Sequence, residues 1–210
     1  MLRRVSLAIA VLDLIMEPER GQRYFSYQPS WRQREALAAM SNGSGNDYWI
    51  VFADDGAAYA QGFDHESELS PWGSENGQLH EGIIDEIPDR FLRYVNEAAF
   101  SFENIPSLTV CLWTETGAQG TWRHGSVPPP GGSGDLSGAA DLFRVVSRSD
   151  PAGYVEYAAD YYEQEIAPAA VAEVYQHRPM NQALVSRINP GRALEDILGE
   201  LRKIGYPVAG

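Results

Sequence analysis

Two short segments near residue 50 limit the folds open to this chain, because together they predict a β-hairpin. Residues 47–53 contain an aromatic and β-branched run, which favours a strand. Asp54-Asp55-Gly56 is a tight-turn signal, and residues 57–63 follow it as the partner strand. Residues 107–114 have the same character and predict a third strand.

Helical patterns occupy both ends of the chain. Residues 2–16 carry apolar side chains at helical spacing, and residues 31–40 predict a second, short helix. The strands do not alternate with helices as they do in parallel sheets, so we expect an α+β fold. We predict a central, mostly antiparallel sheet with flanking helices, and a C-terminal third that is helical. Four prolines after residue 150 each stand at the start of a helical pattern: Pro151, Pro168, Pro179 and Pro190.

The length of 210 residues is compatible with a single domain over 1–210. A Pro/Gly-rich stretch at 127–135 is the only candidate internal boundary. The basic pair and apolar run at residues 3–15 resemble a secretory signal, but Asp13 interrupts the run and no small-residue cleavage site follows. No run of about 18 apolar residues suggests a membrane span. We therefore expect a soluble, cytoplasmic protein.

The negative charge is concentrated in the middle of the sequence. Residues 46–105 hold 13 acidic and 2 basic residues, which is −11 of the net −13. An acidic surface repels phosphate backbones and anionic lipids, so neither nucleic acid nor membrane is an expected partner. This charge favours a basic protein or a cation as the partner, or a role in solubility alone.

The region between the second and third strands has no periodicity. Residues 64–88 are rich in Gly, Ser, Pro and acidic residues, and long irregular loops in compact domains are commonly functional or disordered. A helix is then predicted to begin at Pro88, with these apolar residues along one side: Phe91, Leu92, Val95 and Ala99.

A polar cluster follows the second strand directly and supports two hypotheses. Its residues His65 and Glu66, with either Asp64 or the later His80, could hold a divalent metal that activates water in a metal-dependent hydrolase. No ligand spacing such as HExxH supports this alternative, and no cofactor is favoured. A structural interpretation is favoured over the metal site: Asp64 caps a turn, His65 bonds to backbone, and the glutamates are solvated.

The preferred hypothesis is a non-catalytic binding protein that presents residues 54–86 to a basic protein. Trp72 lacks a periodic partner and could be an exposed anchor, although its ring could instead fold back and pin the loop. No GxSxG, P-loop or GxGxxG motif indicates catalysis, and Cys111 lies in an apolar run typical of a buried thiol. The predicted partner-binding residues are Asp64, His65, Glu66, Glu68, Trp72, His80 and Glu81.

Three strings carry a family resemblance over about residues 40–125. The segments at 41–45 (SNGSG), 62–67 (GFDHES) and 70–72 (SPW) resemble those of small, uncharacterised bacterial proteins of unknown function. That resemblance implies no activity and no catalytic residue. A looser similarity is to the acidic immunity proteins of bacterial toxin systems, which are often single α+β domains with a charged face.

Overall fold

The computed structural model describes residues 1–74, 76–116, 121–127 and 134–210. These residues pack as two compact units, of which unit 1 comprises residues 1–31 and 144–210 and unit 2 comprises residues 32–143. Of the predicted boundary at 127–135, residues 128–133 lie outside the described residues. If residues 1–210 form a single domain, as the sequence predicts, both units will unfold in one calorimetric transition.

Helices and strands together place the chain in the α+β class, as predicted. The helices of the described residues are α1 (Leu2–Met16), α2 (Asp89–Val95), α3 (Ala139–Leu142), α4 (Ala152–Tyr161), α5 (Pro168–Tyr175), α6 (Gln182–Ile188) and α7 (Leu194–Lys203). The strands are β1 (Phe25–Arg32), β2 (Glu35–Ser41), β3 (Asp47–Ala53), β4 (Ala58–Phe63), β5 (Ser101–Phe102), β6 (Ile105–Pro106), β7 (Val110–Thr114) and β8 (Arg123–His124). No helix within these ranges has the length and apolar character that a membrane crossing needs.

Unit 1 is built around α1, which confirms the helix predicted at residues 2–16. Helices α5, α6 and α7 contact it, so α1 is buried on almost every side rather than along one stripe. Its C-terminal carbonyls are satisfied from a distant segment, since Asn189 Nδ2 and Arg192 Nε donate to Ile15 O at 3.1 and 3.2 Å. The sequence predicted that the last helix begins at Asn189-Pro190. In the structure that helix, α7, begins at Leu194 instead.

The central sheet of unit 2 confirms the predicted hairpin. Strands β2, β3, β4, β7 and β8 pair in that order, and every pair is antiparallel. In the turn between β3 and β4, Asp55 Oδ1 accepts from Ala57 N–H at 3.0 Å and Gly56 has a φ of +90°. Strand β4 is buried along its whole length, because α2 and α3 both pack against it.

The helix predicted at residues 31–40 is wrong. Residues 35–41 form β2, which pairs with β3 from Glu35 opposite Ala53 to Ser41 opposite Asp47. The preceding residue, Arg34, has a φ of +63°, which no α-helix contains. Although Ala, Leu and Met favour helices locally, pairing with β3 and burial override that preference.

The helix predicted from Pro88 is present, but it is shorter than predicted and buries a different set of side chains. It ends at Val95, so Ala99 is not part of it. Tyr94 is buried on the sheet with Phe91 and Val95, whereas Leu92 faces solvent. Both Phe91 and Tyr94 contact the ring of Tyr59 in β4, with ring centroids 6.0 and 5.2 Å away, and this contact selects the buried side of the helix.

Candidate protein-binding surface

The acidic loop, which we define as residues 64–88, connects β4 to α2 and is described except for residue 75. It is irregular apart from a single 3-10 turn at Pro71–Gly73. Backbone bonds from Gly73 N–H to Ser70 O and from Ser74 N–H to Pro71 O, at 3.0 and 3.1 Å, shape that turn. Pro71 is buried, so the turn is held against the unit while the next residue, Trp72, reaches the surface.

Trp72 combines the two roles that the sequence left open. Its ring centroid lies 4.9 Å from that of Phe63 at the end of β4, so the ring does pin the loop to the sheet. The residue nevertheless keeps 39% of its surface exposed. The ring centroid of a second aromatic residue, Phe102, lies 6.2 Å from that of Trp72. Phe102 is 60% exposed, and we call Trp72 and Phe102 the aromatic pair.

Phe102 is presented by a two-residue hairpin of β5 and β6. The turn residues Glu103 and Asn104 have φ values of +50° and +65°, the pattern of a type I′ turn. The base of the hairpin is tied to the sheet, since Gln61 Nε2 donates to Ser107 O at 3.0 Å. The Gln61 side chain is fully buried, and its Oε1 accepts from Tyr59 O–H at 2.8 Å. Phe102 therefore projects from an anchored support.

Close approach at Gly77 also packs the acidic loop on this hairpin. A Cβ at this position would lie 2.7 Å from Ile105 Cδ1, and the residue has a φ of +63°. The backbone angle favours glycine here, and a larger residue would have to displace the Ile105 side chain. Contacts at Trp72 and at Gly77 thus join two segments that are separate in sequence into one surface.

Asp64 and His65, two of the predicted binding residues, make local structural contacts. Asp64 Oδ1 accepts from Glu66 N–H at 3.0 Å, and its own N–H donates to Thr109 Oγ1 at 3.1 Å. For His65, Asn46 Oδ1 accepts the backbone N–H at 3.1 Å and lies 2.7 Å from Nδ1. These contacts match the structural interpretation for Asp64, while His65 bonds to a side chain rather than to backbone.

A glycine substitution can measure how tightly Asp64 is packed. Gly138 has a φ of +73°, and a Cβ there would lie 2.5 Å from Asp64 Cβ. We expect Gly138→Ala to lower the free energy of unfolding by about 2 to 3 kcal/mol in urea denaturation, through strain and displacement of Asp64. Gly43→Ala is the matched control, because Gly43 has a φ of +71° with nothing within 4 Å of its Cβ. It should cost about 1 kcal/mol, and equal costs at both positions would contradict the packed role of Asp64.

The remaining predicted residues are exposed and lie along the acidic loop. Glu66, Glu68 and Glu81 face solvent, and His80 Nδ1 lies 2.7 Å from Glu81 O. Among the residues that the structure describes, no three His, Cys, Asp or Glu side chains are grouped so that they could hold a metal ion. The hydrolase that uses Asp64, His65, Glu66 and His80 stays a prediction, which elemental analysis of the purified protein would test.

Both basic residues of the acidic region 46–105 form ion pairs with carboxylates that lie outside the acidic loop. Arg90 Nη2 lies 2.8 Å from Asp55 Oδ2, and this hydrogen bond lowers the pKa of Asp55 from its usual value. Arg93 pairs with the buried carboxylate of Glu35, which also accepts from Tyr94 O–H at 2.8 Å. Within the described ranges, these exposed carboxylates form no ion pair: Glu66, Glu68, Glu81, Asp85, Glu86 and Asp89.

Cys111 is a buried core thiol, as predicted. It lies in β7 with 3% of its surface exposed, and burial raises its pKa to about 12. A thiol that stays protonated at neutral pH is a poor nucleophile. We therefore assign it to the packing of the sheet.

Sequence reasoning missed Phe102 and Glu103. The signal for the hairpin is weak, because type I′ turns favour Asn-Gly or Asp-Gly, and glutamate rarely adopts a positive φ. Asn104, which with Glu103 separates two apolar residues, was the only local indication. That Phe102 lies beside Trp72 could not be inferred from a separation of thirty residues in sequence.

Fold and surface together describe an α+β protein whose second unit exposes an aromatic pair, with Trp72 on the same loop as exposed carboxylates that form no ion pair within the described ranges. Comparisons with models of protein families, with curated proteins and with solved structures found no match.

Proposed function

We propose that this chain is a non-catalytic binding protein whose unit 2 presents the acidic loop and the aromatic pair to a basic protein. The observation that carries the proposal is the exposed pair of Trp72 and Phe102, held on structural supports beside a loop of unpaired carboxylates. Large aromatic side chains dominate the binding energy of many protein interfaces. Exposed carboxylates without counterions favour a cationic partner by charge complementarity.

The two parts of the surface act on different steps of binding. The carboxylates create a negative field that attracts a cationic partner over about one Debye length, which is ~10 Å at 0.1 M salt. The aromatic pair becomes desolvated only in the bound complex, so it slows dissociation. Salt should therefore reduce the association rate steeply and change the dissociation rate less.

Affinity purification from the native cell, with the full chain as bait, would supply a partner for kinetic measurement. We expect Trp72→Ala to weaken its binding by about 10- to 30-fold, mainly through faster dissociation. Glu66→Gln combined with Glu68→Gln should slow association by several-fold at low salt and change dissociation little. Surface plasmon resonance at two salt concentrations measures both rates.

A matched control is offered by unit 1, where Asp160→Asn with Glu165→Gln removes two exposed charges elsewhere on the chain. This control should leave the association rate within about twofold of wild type if the acidic loop steers the partner. Equal effects of the two double variants would show that only net charge matters. Unchanged binding by Trp72→Ala would remove the aromatic pair from the interface.

A further inference from the structure

We propose that the aromatic pair receives an arginine side chain of the basic partner, stacked on Trp72 and Phe102 and bonded to a neighbouring carboxylate. This inference rests on the proposed binding function and names the chemistry of its anchor. It predicts that the surface distinguishes arginine from lysine, although the two carry the same charge.

The protein itself uses this combination of groups twice in unit 2. The guanidinium carbon of Arg93 lies 4.7 Å from the ring centroid of Tyr94, and the same group pairs with Glu35. Arg90 lies 5.3 Å from the ring centroid of Phe91 and bonds to Asp55 at 2.8 Å. In both cases one ring and one carboxylate hold a guanidinium, which stacks and donates hydrogen bonds at once.

The aromatic pair offers the same elements without an arginine of its own in the structure described. Its rings are tilted by 46° with centroids 6.2 Å apart, so they do not cover each other by stacking. Glu103 follows Phe102 directly in the turn and is exposed, which places a carboxylate next to the second ring in sequence. Glu68 lies four residues before Trp72 and is also exposed.

Charge decides between an arginine-bearing partner and a second copy of this chain. Two copies would bring together their acidic loops, and each chain has a net charge of −13. Like charges that meet at an interface repel each other and disfavour association. Arginine suits the surface better than lysine, because its planar group is weakly hydrated, stacks on aromatic faces and bonds carboxylates at two points.

Peptides of nine arginines and of nine lysines, each labelled for fluorescence anisotropy, test this inference on the full chain. We expect wild type to bind the arginine peptide about tenfold more tightly than the lysine peptide. Trp72→Leu with Phe102→Leu keeps the surface apolar but removes its π faces, and should weaken arginine binding by about tenfold. The lysine peptide should lose less, so the preference falls towards unity. Tyr161→Leu, which removes an exposed ring in unit 1, is the control and should change neither affinity.

The outcomes separate this inference from the proposed function. If both peptides bind equally, or if the leucine variant keeps the full arginine preference, the arginine anchor is wrong while binding to basic partners stands. If neither peptide binds, both proposals fail. If sedimentation shows a wild-type dimer that the leucine variant abolishes, the occupant is a second copy and the arginine anchor is again overturned.

Discussion

Replacement of Asp13 by alanine is expected to lower the free energy of unfolding by about 4 kcal/mol at pH 5. The Asp13 side chain has no exposed surface and accepts three hydrogen bonds inside unit 1. Its donors are Phe25 N–H at 3.0 Å, Tyr154 O–H at 3.1 Å and Tyr162 O–H at 2.8 Å. Alanine would leave these groups without their acceptor, at about 1 to 3 kcal/mol for each donor that water cannot reach.

Ser6→Ala in the same helix is the matched control for this prediction. Ser6 is also buried, but its hydroxyl donates only to Leu2 O one turn earlier, at 3.1 Å. Its loss should cost about 1 kcal/mol or less. Urea unfolding followed by circular dichroism measures both variants, and similar costs for the two would show that the Asp13 network does not stabilise unit 1.

The stability of the protein should also depend on pH through Asp13. Burial raises the pKa of this carboxyl from 3.8 to about 6, and the hydrogen bonds from Phe25 and the two tyrosines only partly oppose it. The folded state therefore holds the proton more tightly than the unfolded chain. The stabilisation from protonated Asp13 is fully present below about pH 4 and is lost as pH rises through about 6, a loss of about 3 kcal/mol.

The comparison with Asp13→Asn isolates this effect, because asparagine does not titrate and the other acids cancel in the difference. The stability of wild type relative to this variant should fall by about 2.4 kcal/mol between pH 4 and pH 7. Burial raises the pKa of Tyr154 and of Tyr162, so neither tyrosine titrates in this interval. A difference that stays constant with pH would mean that the carboxyl titrates alike in the folded and unfolded chain.

The role of Asp13 could not have been predicted from its position in the sequence. Within an apolar run it argued against a secretory signal, and an amphipathic helix would have placed it towards solvent. Its partners Tyr154 and Tyr162 lie 141 and 149 residues further along the chain. Local periodicity carries no information about partners at such a separation.

The candidate surface could be predicted only in part, because it too depends on contacts between distant segments. Composition identified the acidic loop, and the lack of periodicity around Trp72 suggested an exposed ring. The loop does expose Trp72, but the second ring comes from the hairpin of β5 and β6, and two basic residues of the segment are taken by Asp55 and Glu35. Which carboxylates keep no counterion depends on these distant pairings, so composition alone could not select them.

The amino-acid sequence by itself determined the elements whose causes are local. The turn at Asp54-Asp55-Gly56 and the helix that begins at Pro168 depend on the φ preferences and hydrogen bonds of neighbouring residues. Only the tertiary structure decided that residues 35–41 form a strand, that Asp13 is buried and that Phe102 meets Trp72. Each of those outcomes is set by burial and pairing between distant segments, whose free energy outweighs a local preference of less than about 1 kcal/mol per residue.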